Sequence, residues 1–365
     1  MQFAFFPSRT ITLYLARLFV VRIVAMLAIL VLVLMMLDLL GTSGDILAAP
    51  GNGQAELWRY VSLRVPQLIA RFLPYSVLLA TVITLLTLNQ NSEIVAMKAA
   101  GMSAHQVLAP LFLAAAAVAV LSFAFNERVV TRATETLKAW EGASFGPIPQ
   151  AEALRSNVYL TDGSNVLTAA TMTGAGTGLA MQDVTFYNRT ADGTLTRQVR
   201  AERATFADPG WRLENAESFE VAPARTSSVP AMVVGEGLTI EQIELDSVDP
   251  DAEGFFELRR SIEAYERVGR RTSELEAKWW HKLAGPLSAV LMPLLGAVAA
   301  FGLARSGQLF VRAIIAMALG FAYFVVDNAA LAMGSFGGYP PLLAAWAPFF
   351  LFLLIGETVL IRTEE

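Results

Sequence analysis

Six apolar stretches, near residues 18–40, 65–88, 106–126, 280–303, 309–331 and 341–361, are each long enough to cross a bilayer as a helix. A crossing needs about 20 residues at a rise of about 1.5 Å per residue. The bilayer interior leaves such a stretch little choice but to be helical, since each backbone polar group must find its partner inside the span. Composition agrees: 55% of the 365 residues are hydrophobic and 16% are charged, whereas a soluble domain carries about a quarter charged residues. The first stretch is too long for the core of a cleaved signal peptide, and the chain soon re-enters apolar sequence, so it reads as a retained span. The expected architecture is an integral α-helical membrane protein. Its N-terminal half (1–128) and C-terminal half (279–365) hold three spans each, and a polar insert (129–278) separates them.

The insert is chemically distinct. Residues 129–278 hold 15 Lys and Arg against 23 Asp and Glu, while the remainder holds 12 against 9. Within it, Val158-Tyr159-Leu160 leads through Asp162-Gly163 to Val166-Leu167, and Val184 to Tyr187 leads through Asp192-Gly193 to Leu195–Val199. Asp-Gly between apolar runs supplies the positive φ of a tight hairpin turn. Trp211-Arg212-Leu213 and Phe219-Glu220-Val221 continue the alternation. Short strands at near-regular spacing point to an all-β sandwich, jelly roll or barrel. Charged helical stretches, Val129–Glu141 and Phe255–Lys278, flank it.

Short-loop basic residues set the expected orientation. Arg9, Arg17 and Arg22 put the N-terminus in the cytoplasm. Alternation then places Lys98, Arg305 and Arg362 inside, and 41–64, 129–278 and 332–340 outside.

Several chemistries are excluded. The chain has no Cys and only two His, His105 and His281, which removes thiolate catalysis and histidine-rich metal centres. It has no Gly-x-x-x-x-Gly-Lys-Ser/Thr loop, His-Glu-x-x-His or Gly-x-Ser-x-Gly, so any energised work draws on a partner or a gradient. No cofactor is expected.

The sharpest local signal is the inner loop Asn89–Gly101. Ser92 is a candidate N-cap, Glu93 suits the positive end of the helix dipole, and Gly101 suits the C′ position. A short helix with Ile94 and Met97 on one face reads either as a plain turn between spans or as a docking helix for a cytoplasmic partner. Ionisable residues near span ends are the second signal: Asp38, Arg71 and Asp327 fall at one depth near the outer leaflet. Arg64, Arg71, Arg128 and Arg132 together suit a phosphorylated headgroup. The competing reading is interfacial snorkelling. His281, after Trp279-Trp280, reads as part of an aromatic belt.

Three spans, a large β insert and three more spans resemble the LptF/LptG (YjgP/YjgQ) lipopolysaccharide-export permeases. The segment Asn91-Ser92-Glu93-Ile94-Val95-Ala96-Met97-Lys98-Ala99-Ala100-Gly101 is similar to that family's coupling segment, and Pro66, Pro74 and Trp279–Pro286 fit it too. Phe324–Asn328 followed by Gly338-Tyr339-Pro340-Pro341 is nearer the LptG branch. The resemblance implies an inner-membrane permease half that pairs with an LptF-like half and carries no ATPase motif of its own. It would dock a dimeric LptB-like ATPase through Ser92, Glu93, Ile94, Met97, Lys98 and Gly101. It would lift lipopolysaccharide from the outer leaflet and pass it, through a periplasmic jelly roll, to an LptC/LptA-like bridge. Members often carry a lysine near the outer end of the first span; here Met35, Met36 and Leu37 precede Asp38. Two alternatives belong to other classes. One is a membrane-anchored extracytoplasmic sensor or assembly scaffold. The other is an intramembrane lipid enzyme using Asp38 and Asp327.

Overall fold

The computed structural model describes residues 7–146, 155–161, 165–174, 178–190, 192–222, 224–236, 238, 248–267, 270–301 and 309–364. The chain forms two compact units, one from Met1–Gly146 with Asp249–Glu365 and one from Pro147–Val248. The charged flanking helices expected beside the insert belong to the first unit.

That unit is helical. In chain order it contains α1 (Arg9–Ala48), α2 (Gln54–Gln90), α3 (Glu93–Ala99), α4 (Ala104–Phe125), α5 (Thr131–Gly142), α6 (Phe255–Arg267), α7 (Ser273–Phe301), α8 (Leu309–Ser335) and α9 (Pro341–Glu364). A single π turn, Asn126–Val130, joins α4 to α5 without a break. All six expected spans fall on helices, in α1, α2, α4, α7, α8 and α9. Three shorter helices, α3, α5 and α6, bring the helices among the described residues to nine. Five helical runs among the described residues are long and apolar enough to cross a membrane, including Ala104–Gly142 taken as one. The fourth expected crossing falls on α7, which has no charged residue from Leu283 to its end at Phe301.

Helix ends follow local chemistry. At α4, Ser103 and Gln106 form a reciprocal cap: the Gln106 N–H donates to Ser103 Oγ at 3.2 Å, and the Ser103 N–H donates to Gln106 Oε1 at 3.1 Å. Ser8 begins α1, its Oγ accepting from the Ile11 N–H.

The helical core draws on every spanning helix: Leu15, Phe19 and Ile23 of α1, Val77 and Leu85 of α2, Leu108 and Leu111 of α4, Leu294 and Leu295 of α7, Tyr323 of α8 and Phe352 of α9. α7 lies centrally, packed on α2, α4, α8 and α9. Small residues allow the close approach that apolar surroundings reward. A methyl group at Gly296 would meet Thr81 Cγ2 at 2.4 Å, and one at Gly334 would meet Ala344 Cβ at 2.4 Å. Away from this core, α1 exposes Leu13, Val20, Val24, Leu32, Met36 and Leu40, a surface that only lipid or another apolar helix satisfies.

The second unit is a single antiparallel sheet of six strands in the order of the chain: β1 (Arg155–Thr161), β2 (Val166–Thr173), β3 (Ala180–Arg189), β4 (Leu195–Ala207), β5 (Gly210–Glu220) and β6 (Arg225–Val234). Both expected hairpins pair, Leu160 opposite Leu167 and Phe186 opposite Val199. Gly193 takes φ +86° in the second turn, the conformation for which Gly is suited; Asp162-Gly163 lies outside the described residues. The inserted all-β domain is therefore present. Its described strands run up and down in succession, whereas a jelly roll interleaves strands between two sheets. Short connections explain the order, since a strand returning within a few residues can pair only with its predecessor. One face is apolar, with Met181, Val184, Val199, Trp211, Leu213 and Ala216 buried. Trp211 Nε1 donates to the Leu238 carbonyl at 3.0 Å, which removes the cost of burying the indole N–H.

Candidate functional site

Two places in the helical unit concentrate chemistry: the α3 segment and a cavity among α2, α4, α5, α7 and α8.

α3 begins at Glu93. Ser92 occupies the residue before it, as expected, but with φ +60° and with no side-chain capping bond. The hydroxyl cap read from the sequence is thus not made. Gly101 does what its position suggested. At φ +86° it donates its N–H to the Lys98 carbonyl at 2.9 Å, while the Met102 N–H reaches the Met97 carbonyl at 3.1 Å. This is the Schellman pair of bonds that closes a helix at a left-handed residue. Glu93 is held from a distance in sequence: Tyr14 Oη of α1 donates to its Oε2 at 3.2 Å. Ile94 is buried in the protein's own core and Met97 packs against it. These two side chains therefore anchor α3 to the bundle. Val95, Lys98 and Ala99 form its exposed face.

The cavity has a volume of about 670 Å³ and is lined in part by Arg64, Arg71 and Tyr75 of α2, Lys138 of α5, Lys278, His281 and Lys282 of α7, and Asp327 of α8. Pro74 and Pro286 also line it. Five Lys or Arg side chains face two carboxylates there, Asp251 and Asp327, so the chamber favours anions.

Not all of these cations are free to bind a ligand. Arg64 grips Asp38 of α1 through two bonds, Nη2 to Oδ1 at 2.9 Å and Nε to Oδ2 at 3.1 Å, and Tyr60 Oη donates to the same Oδ2 at 2.6 Å. This two-pronged pair locks α1 to α2. Lys138 pairs with Asp249. Lys278 Nζ holds both Asp251 oxygens, at 2.9 and 3.0 Å. Partial desolvation would raise the Asp251 carboxyl. The bond from Lys278 and the charges of Lys278, Lys138 and Lys282 outweigh it and hold the group below the usual carboxylate range. Neighbouring Glu253 goes the other way, pushed up by burial despite a bond from Ser261. Arg71 and Lys282 make no hydrogen bond or ion pair among the described residues, and both point their chemistry at the cavity.

Of the six residues read as a headgroup path, the cavity gathers Arg64, Arg71 and Asp327. Asp38 is taken up by the clamp on Arg64, and Arg128 and Arg132 are exposed outside the cavity lining. Sequence reasoning passed over Lys138, Lys278, Lys282 and His281. A signal for three of them was present: Lys278, His281, Lys282 and Gly285 recur at i, i+3, i+4 and i+7, one face of α7 kept polar on its way into an apolar span. His281 Nε2 lies 3.0 Å from Asp327 Oδ2, a pairing of residues 46 positions apart that no local pattern announces. No group of three or more metal-ligating side chains occurs among the described residues.

Long apolar helices around a cationic chamber, with an inserted β-sheet domain and a short helix between two spans, define an integral membrane protein of the α-helical class. The family model described as lipopolysaccharide export system permease LptF/LptG matches residues 13–362, and the chain belongs to that family. It is 25% identical over 310 residues to the lipopolysaccharide export system permease protein LptG of Escherichia coli K12, covering 83% of this chain and 84% of that protein. It is 22% identical over 327 residues to LptG of Haemophilus influenzae, covering 86% and 89%.

Proposed function

We propose that this chain is the transmembrane half of an ABC-type exporter that takes lipopolysaccharide from the outer leaflet of the inner membrane into the cationic cavity. A separate dimeric cytoplasmic ATPase, LptB-like, docks on α3. A homologous LptF-like half completes the pathway, and an LptC/LptA-like bridge receives the lipid in the periplasm. Both termini are cytoplasmic and the β domain is periplasmic in this reading.

The observation that carries it is the cavity. Arg71 and Lys282 line it and make no hydrogen bond or ion pair among the described residues, an arrangement that suits an anionic ligand. The α3 geometry supports the coupling role. Its Ile94 side is fastened to the bundle core, so a push on the exposed Val95–Lys98–Ala99 face reaches the spans directly. Glu93, steadied by Tyr14, lies at the start of that helix. Closure of the ATPase would then shift a two-state bundle and expel the lipid.

Co-expression with candidate ATPases tests this. A co-purifying ATPase stimulated by lipopolysaccharide, and lost on Glu93→Lys with membrane insertion intact, is expected. Unchanged complex yield in Glu93→Lys overturns the role given to α3.

A further inference from the structure

Asp327 is 6% exposed, and its two oxygens have different surroundings. Oδ2 meets His281 Nε2 at 3.0 Å, whereas Oδ1 is buried with no hydrogen-bond partner among the described residues. Both Asp327 and His281 line the cavity that also presents Arg71 and Lys282. A buried carboxylate oxygen without a donor is rare, because the group gives up its hydration and receives nothing in return. A ligand seated against Asp327 gains affinity by bringing a donor of its own.

The donor's chemistry is constrained by its neighbours. An ammonium group would satisfy Asp327, but Arg71 and Lys282, which make no ion pair among the described residues, share the chamber and repel a further cation. A hydroxyl donates without that penalty. The site therefore joins anion-binding cations, Arg71 and Lys282, to one buried acceptor tuned for a neutral donor.

We propose that Asp327, oriented by His281, is a specificity-determining residue that accepts a hydrogen bond from a headgroup hydroxyl, so that the cavity selects phosphorylated polyhydroxyl headgroups over phosphorylated amines. The inference rests on the reading of the cavity as the lipid site. It adds to that reading the means by which an ethanolamine phospholipid, which offers a phosphate too, is turned away. A site built to meet a hydroxyl discriminates strongly, since the analogue lacking it leaves a buried polar atom unpaired.

The test uses the full-length chain in nanodiscs, titrated with three lipids: bisphosphorylated lipid A, phosphatidylglycerol and phosphatidylethanolamine. Wild-type protein is expected to bind the first two at least tenfold more tightly than the third. Asp327→Asn, nearly isosteric, is expected to reduce that preference by about tenfold, the effect of exchanging a charged acceptor for a neutral amide that also brings a donor of its own. If wild-type protein binds phosphatidylglycerol and phosphatidylethanolamine alike, the proposal is overturned whatever the variant does. Retention of the full preference by Asp327→Asn overturns it equally. Failure of the wild-type protein to bind lipid A at all overturns instead the lipid reading of the cavity. Should Asp327→Asn not fold, the wild-type ratio decides alone.

Discussion

Replacing Gly296 by Ala adds one methyl group at the point where α7 crosses α2. That methyl would lie 2.4 Å from Thr81 Cγ2 and 2.9 Å from Thr81 Cβ, well inside contact distance. Thr81 cannot easily yield: it is fully buried, its β-branched side chain is stiff at χ1, and its hydroxyl is tied to the Val77 carbonyl at 2.7 Å. Overpacking of this kind costs about 1–3 kcal/mol. The gain in helix preference from Gly to Ala returns about 0.5–1 kcal/mol. A net loss of about 1–2 kcal/mol is expected, roughly a 5- to 30-fold shift in the unfolding equilibrium. The assay is unfolding in mixed detergent micelles, followed by tryptophan fluorescence. Thr81→Ser removes Cγ2 and keeps the hydroxyl, so the double variant should recover at least half of the loss. A Gly296→Ala protein as stable as wild type, or a double variant no better than the single one, would refute the account of how α7 seats on α2.

Asp38→Asn should loosen α1 from α2. Its ion pair with Arg64 is about a quarter exposed on each side, between the values below 1 kcal/mol of surface pairs and the 3–5 kcal/mol of buried ones, so about 1–2 kcal/mol is expected by the same unfolding assay; no change would show the clamp to be idle. Asp251 is held below its ordinary range in the folded protein, so its contribution is present at neutral pH and fades as pH falls through that lowered value. The stability difference between wild type and Asp251→Asn, measured at pH 7 and again below about pH 4, should therefore shrink at the acid end, and a difference that grows there contradicts the sign. Reporter fusions should be active outside the cytoplasm at position 200 and inside at position 97; the reverse pattern inverts the topology.

Much of this was open to a reader of the sequence, for identifiable reasons. The spans were legible because lipid demands long apolar helices, and all six fell on helices. The hairpins were legible because Asp-Gly sits between apolar runs, and Leu160–Leu167 and Phe186–Val199 pair accordingly. Gly101 was legible because a left-handed closing residue strongly favours Gly. The site was harder. Ile94 and Met97 have the spacing of a docking face, yet spacing alone does not say which side of a helix meets its own core, and here that side faces inward. Asp38 had the look of a lipid contact until Arg64 and Tyr60, 26 and 22 positions away, turned out to occupy both oxygens. His281 looked like a member of an aromatic belt because its partner, Asp327, lies on a different helix. In each case the missing information is which distant helix lies opposite, and that is a property of packing.

Export by this route requires lipid to enter the chamber among α2, α7 and α8, and photocrosslinking tests this directly. A photoreactive residue at position 331, in the cavity wall, should capture lipopolysaccharide in inner-membrane vesicles, and ATP supplied to the complete complex should deplete the adduct. The same residue at exposed position 132 should capture little. Equal capture at both positions, or none at 331 whether or not ATP is present, would contradict the claim.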